Sequence, residues 1–190
     1  LQDVEEIFSN AHHVTRMELI NNRLVGSPLE PRGLICYSDP DDGKLILHAS
    51  HQSATRLHSS LCSIFKFMPE QLRVIVGDVG GGFGTKVAIY PEDVLVVYAA
   101  KKLNRPIKWT ATRTEEFQAS VHGRDHMNVA ELACDPEGRI QALKVKTLAN
   151  TGAYLINPAL FIPLGLMSKV ITSVYDIPAI YLETRCVLTN

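Results

Sequence analysis

One segment of this 190-residue chain has the composition of a ligand-contacting loop. It runs Val74-Ile75-Val76-Gly77-Asp78-Val79-Gly80-Gly81-Gly82-Phe83-Gly84-Thr85-Lys86. Five of the eight residues from Gly77 to Gly84 are glycine. Ordering so much glycine is entropically costly, unless the backbone needs positive φ or a ligand must touch the main chain. Successive bare N–H groups can form a concavity that holds an anion. The familiar nucleotide loops fail on spacing. A Walker A loop ends in Gly-Lys-Ser/Thr, but Thr85 precedes Lys86 and Val87 follows it. A dinucleotide fingerprint, G-x-G-x-x-G, started at Gly80 meets Thr85 where its third glycine belongs, and no other start works. A plain strand-to-helix turn remains the competing reading of the loop.

Other polar residues give weaker signals. His122 and His126 have i, i+4 spacing, but Gly123 and a following strand make a zinc-binding helix improbable, and His12-His13 has no third ligand nearby. Cys36, Cys62, Cys134 and Cys186 form no CxxC pair, which speaks against zinc ribbons and iron–sulfur ligation. They read as reduced, buried thiols in a cytoplasmic protein. Arg113 with Glu115 and Glu116 reads as a solvated turn or ion pair, Glu30 with Arg32 as a local brace, and Arg124 with Asp125 as a structural pair. Nineteen Lys and Arg against twenty Asp and Glu leave none of the basic excess that a nucleic-acid partner requires. No run approaches the roughly 20 apolar residues of a membrane span. The most apolar stretch, Tyr154 to Met167, is interrupted by Asn157, Pro158, Pro163 and Gly165, and reads as a buried loop or short helix.

The elements that must position the loop are legible in outline. Val4 to Ala11 reads as the end of a helix and His13 to Val25 as a strand. Gly26 to Arg32 is irregular because of its two prolines. Gly33–Tyr37 and Lys44–Ala49 form a hairpin around Asp39-Pro40-Asp41-Asp42-Gly43. Ser50 or Ser53 caps a helix to Phe65 whose inner face is Leu57, Leu61, Ile64 and Phe65. Arg73–Val76 is a strand feeding the glycine loop. Pro91, Glu92 and Asp93 then open a helix to about Leu103, with Val94, Val97, Tyr98 and Ala100 apolar. Ile107–Thr110 is a strand. Met127–Cys134 and Ile140–Asn150 form a second hairpin through Asp135-Pro136-Glu137-Gly138, and Ile180–Thr189 is a last strand. Mixed helices and antiparallel hairpins make the class α+β, with mixed sheets and packed helices. A sub-lobe boundary is expected near residues 110–125.

The segment Gly80-Gly81-Gly82-Phe83-Gly84-Thr85-Lys86 resembles the GGGFG-x-K loop of the molybdenum hydroxylases, the xanthine dehydrogenase and aldehyde oxidase family. Other blocks recur in the family's order: Pro28-Leu29-Glu30-Pro31-Arg32, Ala49-Ser50-His51-Gln52, Arg105-Pro106-Ile107-Lys108-Trp109, Arg113-Thr114-Glu115-Glu116, His122-Gly123-Arg124-Asp125 and Asn150-Thr151-Gly152-Ala153-Tyr154. Their wording most resembles the aerobic carbon monoxide dehydrogenase and bacterial aldehyde dehydrogenase branch. Val87 stands where the xanthine branch has a glutamate, which speaks against a purine hydroxylase.

The resemblance implies that residues 1–190 are a piece of the first molybdopterin-binding domain of a large subunit. The cofactor would be molybdenum–molybdopterin, with the cytosine dinucleotide as one form the resemblance allows. Gln52, Gly81, Gly82, Phe83 and Gly84 would contact it. Gln52 would donate to an oxygen on the metal, Phe83 would cover one side, and no side chain would ligate the metal directly. Asn150 to Tyr154 would line the wall near the cofactor. The implied reaction is hydroxylation of a small carbon compound, such as an aldehyde or carbon monoxide, with oxygen from water. Its general base would lie outside this chain, leaving the piece inactive alone. Iron–sulfur and FAD subunits would carry the electrons away in a cytoplasmic dimer of heterotrimers. The alternatives are a non-enzymatic domain that binds a partner or an anion through the glycine loop, and a nucleotide-binding enzyme with a variant loop.

Overall fold

The computed structural model describes residues 2–156 and 160–189. In chain order the elements are α1 (Gln2–Asn10), β1 (His13–Asn21), β2 (Leu24–Val25), β3 (Gly33–Ser38), β4 (Leu45–Ala49), α2 (Ala54–Phe65), β5 (Leu72–Ile75), α3 (Pro91–Leu103), β6 (Ile107–Thr110), α4 (Arg113–Ala119), β7 (His122–Gly123), β8 (His126–Cys134), β9 (Ile140–Asn150), α5 (Met167–Val170) and β10 (Ala179–Val187). They fall into two compact units, Val25–His122 and Leu1–Leu24 with Gly123–Asn190. The first 24 residues thus join the later unit, a long-range association that local pattern does not encode.

In the Val25–His122 unit the sheet order is β5-β4-β3-β6, with β4 and β5 parallel and the other pairs antiparallel. Strand alternation and register place Leu34, Cys36, Leu45, Leu47, Ala49, Leu72, Val74, Ile107 and Trp109 on one face. Helices α2 and α3 pack there through Leu57, Leu61, Cys62, Val96, Val97 and Ala100. The expected inner face of α2 is corrected at one position: Ile64 is exposed and Cys62 is buried in the core. On α3 Val96, Val97 and Ala100 are buried and Tyr98 is exposed. Ser53 rather than Ser50 caps α2, its side chain accepting Arg56 N–H, while Lys66 closes the helix in the left-handed conformation.

Helix α4 is absent from the sequence expectation, which read Arg113 to Glu116 as a solvated turn. Thr112 and Glu115 form a reciprocal capping box: Glu115 N–H donates to Thr112 Oγ1 at 3.2 Å, and Thr112 N–H to Glu115 Oε2 at 2.6 Å.

In the other unit the sheet order is β1-β8-β9-β10. Helix α1 packs Val4, Ile7 and Phe8 against Ala133, Ala142, Ala179 and Tyr181. Lys144 donates to Glu5 at 2.9 Å beneath the same helix. The β8–β9 hairpin forms as expected, and β10 pairs with β9 in parallel. The stretch read as buried is instead exposed. Ile162–Leu166 makes a π-turn leading into α5, with Leu155, Phe161, Ile162 and Leu164 exposed and Pro163 buried. Asn157 and Pro158 lie outside the described residues. Asp125 is bonded to Asn150 through Nδ2 at 2.6 Å, where a pair with Arg124 was expected. Among the described residues no helix is long and apolar enough to cross a membrane.

One buried acid makes stability depend on pH. Asp93, in the first turn of α3, accepts Tyr90 N–H at 2.8 Å. Burial pushes its carboxyl up to about 6, with the Tyr90 N–H and the Arg32 charge offsetting only part of that. The folded state therefore binds the proton more tightly than the unfolded one. Stability is fullest below the ordinary carboxylate value and declines as pH rises towards about 6. Asp93→Asn keeps an acceptor for Tyr90. It is expected to be more stable than the unmodified chain at neutral pH by on the order of 2 kcal/mol, with the advantage vanishing near pH 4. Urea unfolding at several pH values checks this; a pH-independent difference would contradict it.

Candidate functional site

The glycine loop lies between β5 and α3, with a 3-10 turn at Thr85–Val87. Its glycines answer to identifiable constraints. Gly81 and Gly84 have φ of 91° and 87°, in the left-handed region. Gly82 has no room for a side chain, since an added Cβ would fall 2.5 Å from the Gln52 side chain. Between them Phe83 also sits at positive φ, 51°, a conformation costing a non-glycine residue on the order of 1 kcal/mol. Phe83 is 74% exposed and belongs to neither core cluster among the described residues.

Gln52 is bound tightly to this loop. Its Oε1 accepts Gly84 N–H at 2.9 Å and Lys86 N–H at 3.2 Å, and its own N–H donates to Lys86 O at 2.8 Å. With the amide oxygen turned inward, Nε2 is the donor left facing out. The loop's N–H groups divide in the same way. Gly80 donates to Glu30, Gly81 to Val79 O, Gly84 to Gln52 and Thr85 to Gly82 O. The consecutive N–H groups of Gly82 and Phe83 make no hydrogen bond among the described residues. Next to Gln52, His51 is buried and accepts Ser53 N–H through Nδ1, and burial pushes its imidazole below the usual range.

Beneath the loop, Glu30 Oε2 accepts from Ser50 Oγ at 2.7 Å, Gly80 N at 2.8 Å and Lys86 Nζ at 2.9 Å. Burial pushes the Glu30 carboxyl up, but these three donors outweigh it and hold the group below the ordinary range. The expected Glu30–Arg32 pair does not form. Arg32 turns instead to buried Glu116, Nε to Oε1 at 2.9 Å, and lies 3.7 Å above the Tyr90 ring. Tyr90 Oη in turn donates to Thr85 O at 2.7 Å. Arg113 donates to Leu29 O at 2.7 Å. Within Pro28–Arg32, Glu30 thus goes to the loop and Arg32 to α4.

The structure brings Gln52, Gly81, Gly82, Phe83 and Gly84 together within the Val25–His122 unit. Asn150 to Tyr154 belong to the other unit, where Asn150 Oδ1 accepts Gly152 N–H and Thr189 Oγ1–H. Sequence reasoning missed the support of Glu30, Lys86 and Glu116. A lysine ending a glycine loop and a glutamate inside a helix resemble ordinary surface charges until burial is known. Among the described residues no group of His, Cys, Asp and Glu is arranged to hold a metal ion directly.

The crowding at Gly82 gives a direct test. Gly82→Ala should displace Gln52 and break its bonds to the loop, costing about 1–3 kcal/mol locally. Gly77→Ala, where an added Cβ meets nothing within 4 Å, is the control. Amide hydrogen exchange at Gly84 and Lys86 should accelerate in the first variant only; unchanged protection in Gly82→Ala would show that Gln52 does not hold the loop.

Known proteins share this sequence pattern and fold. The chain is 33% identical over 189 residues to the carbon monoxide dehydrogenase large chain of Hydrogenophaga pseudoflava, covering 98% of this chain and 23% of that protein. It is 32% identical over 191 residues to the 6-hydroxypseudooxynicotine dehydrogenase complex subunit gamma of Paenarthrobacter nicotinovorans, covering 99% and 23%. The crystal structure of quinoline 2-oxidoreductase from Pseudomonas putida 86 superposes with a TM-score of 0.88 at 30% identity, over 98% of this chain and 24% of that one. The chain therefore spans about a quarter of the length of the curated relatives it matches. The model of the molybdopterin cofactor-binding domain matches residues 1–190, and the chain belongs to that family.

Proposed function

We propose that this chain is the part of a molybdenum hydroxylase large subunit in which Gln52 and the Gly81–Gly84 loop hold molybdenum–molybdopterin. The observation that carries the reading is the set of unspent donors on one loop: the Gly82 and Phe83 N–H groups beside the outward amide nitrogen of Gln52. Such donors fit the oxygen-rich, anionic surface of a pterin cofactor. Glycine at 82 keeps the backbone bare at that place.

When bound, the cofactor supplies two-electron oxidation with water as the oxygen source. The residues of this chain bind and orient it. Gln52 would hold the cofactor at its metal end by donating from Nε2, without ligating the metal. The Gly82 and Phe83 amides would bind the cofactor, and the Phe83 ring would shield it from water. Gly81 and Gly84 serve by shape, because their N–H groups are bonded within the protein. The general base lies elsewhere in the parent subunit, and the 190 residues alone are inactive.

The parent enzyme in this reading oxidises aldehydes, carbon monoxide or related small carbon compounds. Relatives named for nicotine derivatives and quinoline extend that class to nitrogen heterocycles. Iron–sulfur and FAD subunits accept its electrons in a cytoplasmic dimer of heterotrimers, and the pterin carries the cytosine dinucleotide.

The test is molybdenum and pterin content together with turnover in the purified parent protein. Gln52→Ala is expected to weaken metal retention or slow oxidation by about 10–100-fold. Full molybdenum with unchanged turnover in that variant would remove Gln52 from the site. A parent protein without pterin that binds inorganic phosphate through the loop would favour the non-enzymatic, anion-binding alternative.

A further inference from the structure

A single carboxylate oxygen gathers three chain segments. Glu30 Oε2 takes the Gly80 N–H, the Ser50 hydroxyl and the Lys86 ammonium, while Glu30 N–H donates to Gly80 O at 3.2 Å. The segments are Pro28–Arg32, Ser50–Gln52 and Gly80–Lys86, and the last two carry the donors assigned above. Lys86 is tied in through its backbone as well. Its N–H and C=O both bond Gln52, and its side chain runs to Glu30 with none of its surface exposed. Burying an ion pair adds little to stability compared with apolar groups of the same size. What the pair does supply is direction, because each partner tolerates few geometries in which its donors and acceptors are met.

We propose that Glu30 and Lys86 are positioning residues for the cofactor: together they set where Gly80–Gly84 lies relative to Gln52, so that the Gly82 and Phe83 amides and the Gln52 amide are presented as one preorganised set. The proposal rests on the reading that this loop holds molybdopterin. Close contact supports the register, since a Cβ added at Gly80 would fall 2.6 Å from Glu30 Cβ. The two ends of the pair are unequal. The Glu30 side chain is 41% exposed and the Lys86 side chain fully buried. Removing the lysine leaves a carboxylate that water, Ser50 and Gly80 still satisfy. Neutralising the glutamate strands a buried positive charge.

The experiment compares E30Q, K86M and E30Q/K86M in the full-length parent protein. It measures melting temperature and the rate of molybdenum release to a chelator from the loaded, folded complex. E30Q is expected to melt lowest. E30Q/K86M is expected to regain most of that loss, because no charge is stranded. Release is nevertheless expected to be about tenfold faster than in the unmodified protein in both E30Q and the double variant. If E30Q does not fold, K86M and the double variant decide. Release that simply tracks melting temperature across the variants, or that stays at the unmodified rate in the double variant, would overturn the positioning role while leaving the cofactor reading intact. Absence of molybdenum from the unmodified parent protein would overturn both.

Discussion

A glycine-rich loop has few side chains with which to hold itself, so much of its shape must be imposed from outside. In this protein Glu30 Oε2 takes on much of that task, accepting at 2.7–2.9 Å from Ser50, Gly80 and Lys86. Gln52 provides the second hold, taking the Gly84 and Lys86 N–H groups on its amide oxygen. Between the two, the N–H groups of Gly82 and Phe83 make no hydrogen bond among the described residues. Preorganised donors of this kind cost no further ordering when an acceptor arrives.

The holds depend in turn on how the Pro28–Arg32 segment is fixed. Two prolines limit its backbone freedom, and Arg113 grips Leu29 O from α4. Arg32 then locks the segment against Glu116 and the Tyr90 ring. Burial pushes the Glu116 carboxyl up, but the bonds from Arg32 and Ser120 bring it below its usual range, so it stays a charged partner. Tyr90 closes the circuit by donating to Thr85 O. Loop, proline segment and two helix starts thus form one hydrogen-bonded assembly.

The sheet beneath supplies the rigid base. Its one covered face carries α2 and α3, and β4 delivers Ser50 and Gln52 directly from its end. The loop follows β5, the parallel neighbour of β4, so both halves of the site leave adjacent strands at the same end. That geometry is why a residue at 52 and residues at 81–84 meet.

The sequence by itself determined the local features: both hairpins, the helix ending at Phe65, the Pro91 helix start and the glycine loop, while the choice of Ser53 over Ser50 as cap was left to the structure. Each is set by turn chemistry, caps or alternation within a few residues. The residues of the candidate site were legible through the ordered motif blocks. What only the tertiary structure decided are the partners. Glu30 and Arg32 are two residues apart and suggest a local pair, yet one binds Lys86 and the other Glu116, partners 56 and 84 residues away in sequence. Glu116 looked like surface charge until α4 buried it. The parallel pairing of β10 with β9, and the joining of residues 1–24 to the later unit, depend on contacts more than 30 residues apart in sequence. No local propensity encodes those; they follow from which apolar faces find each other when the whole chain packs.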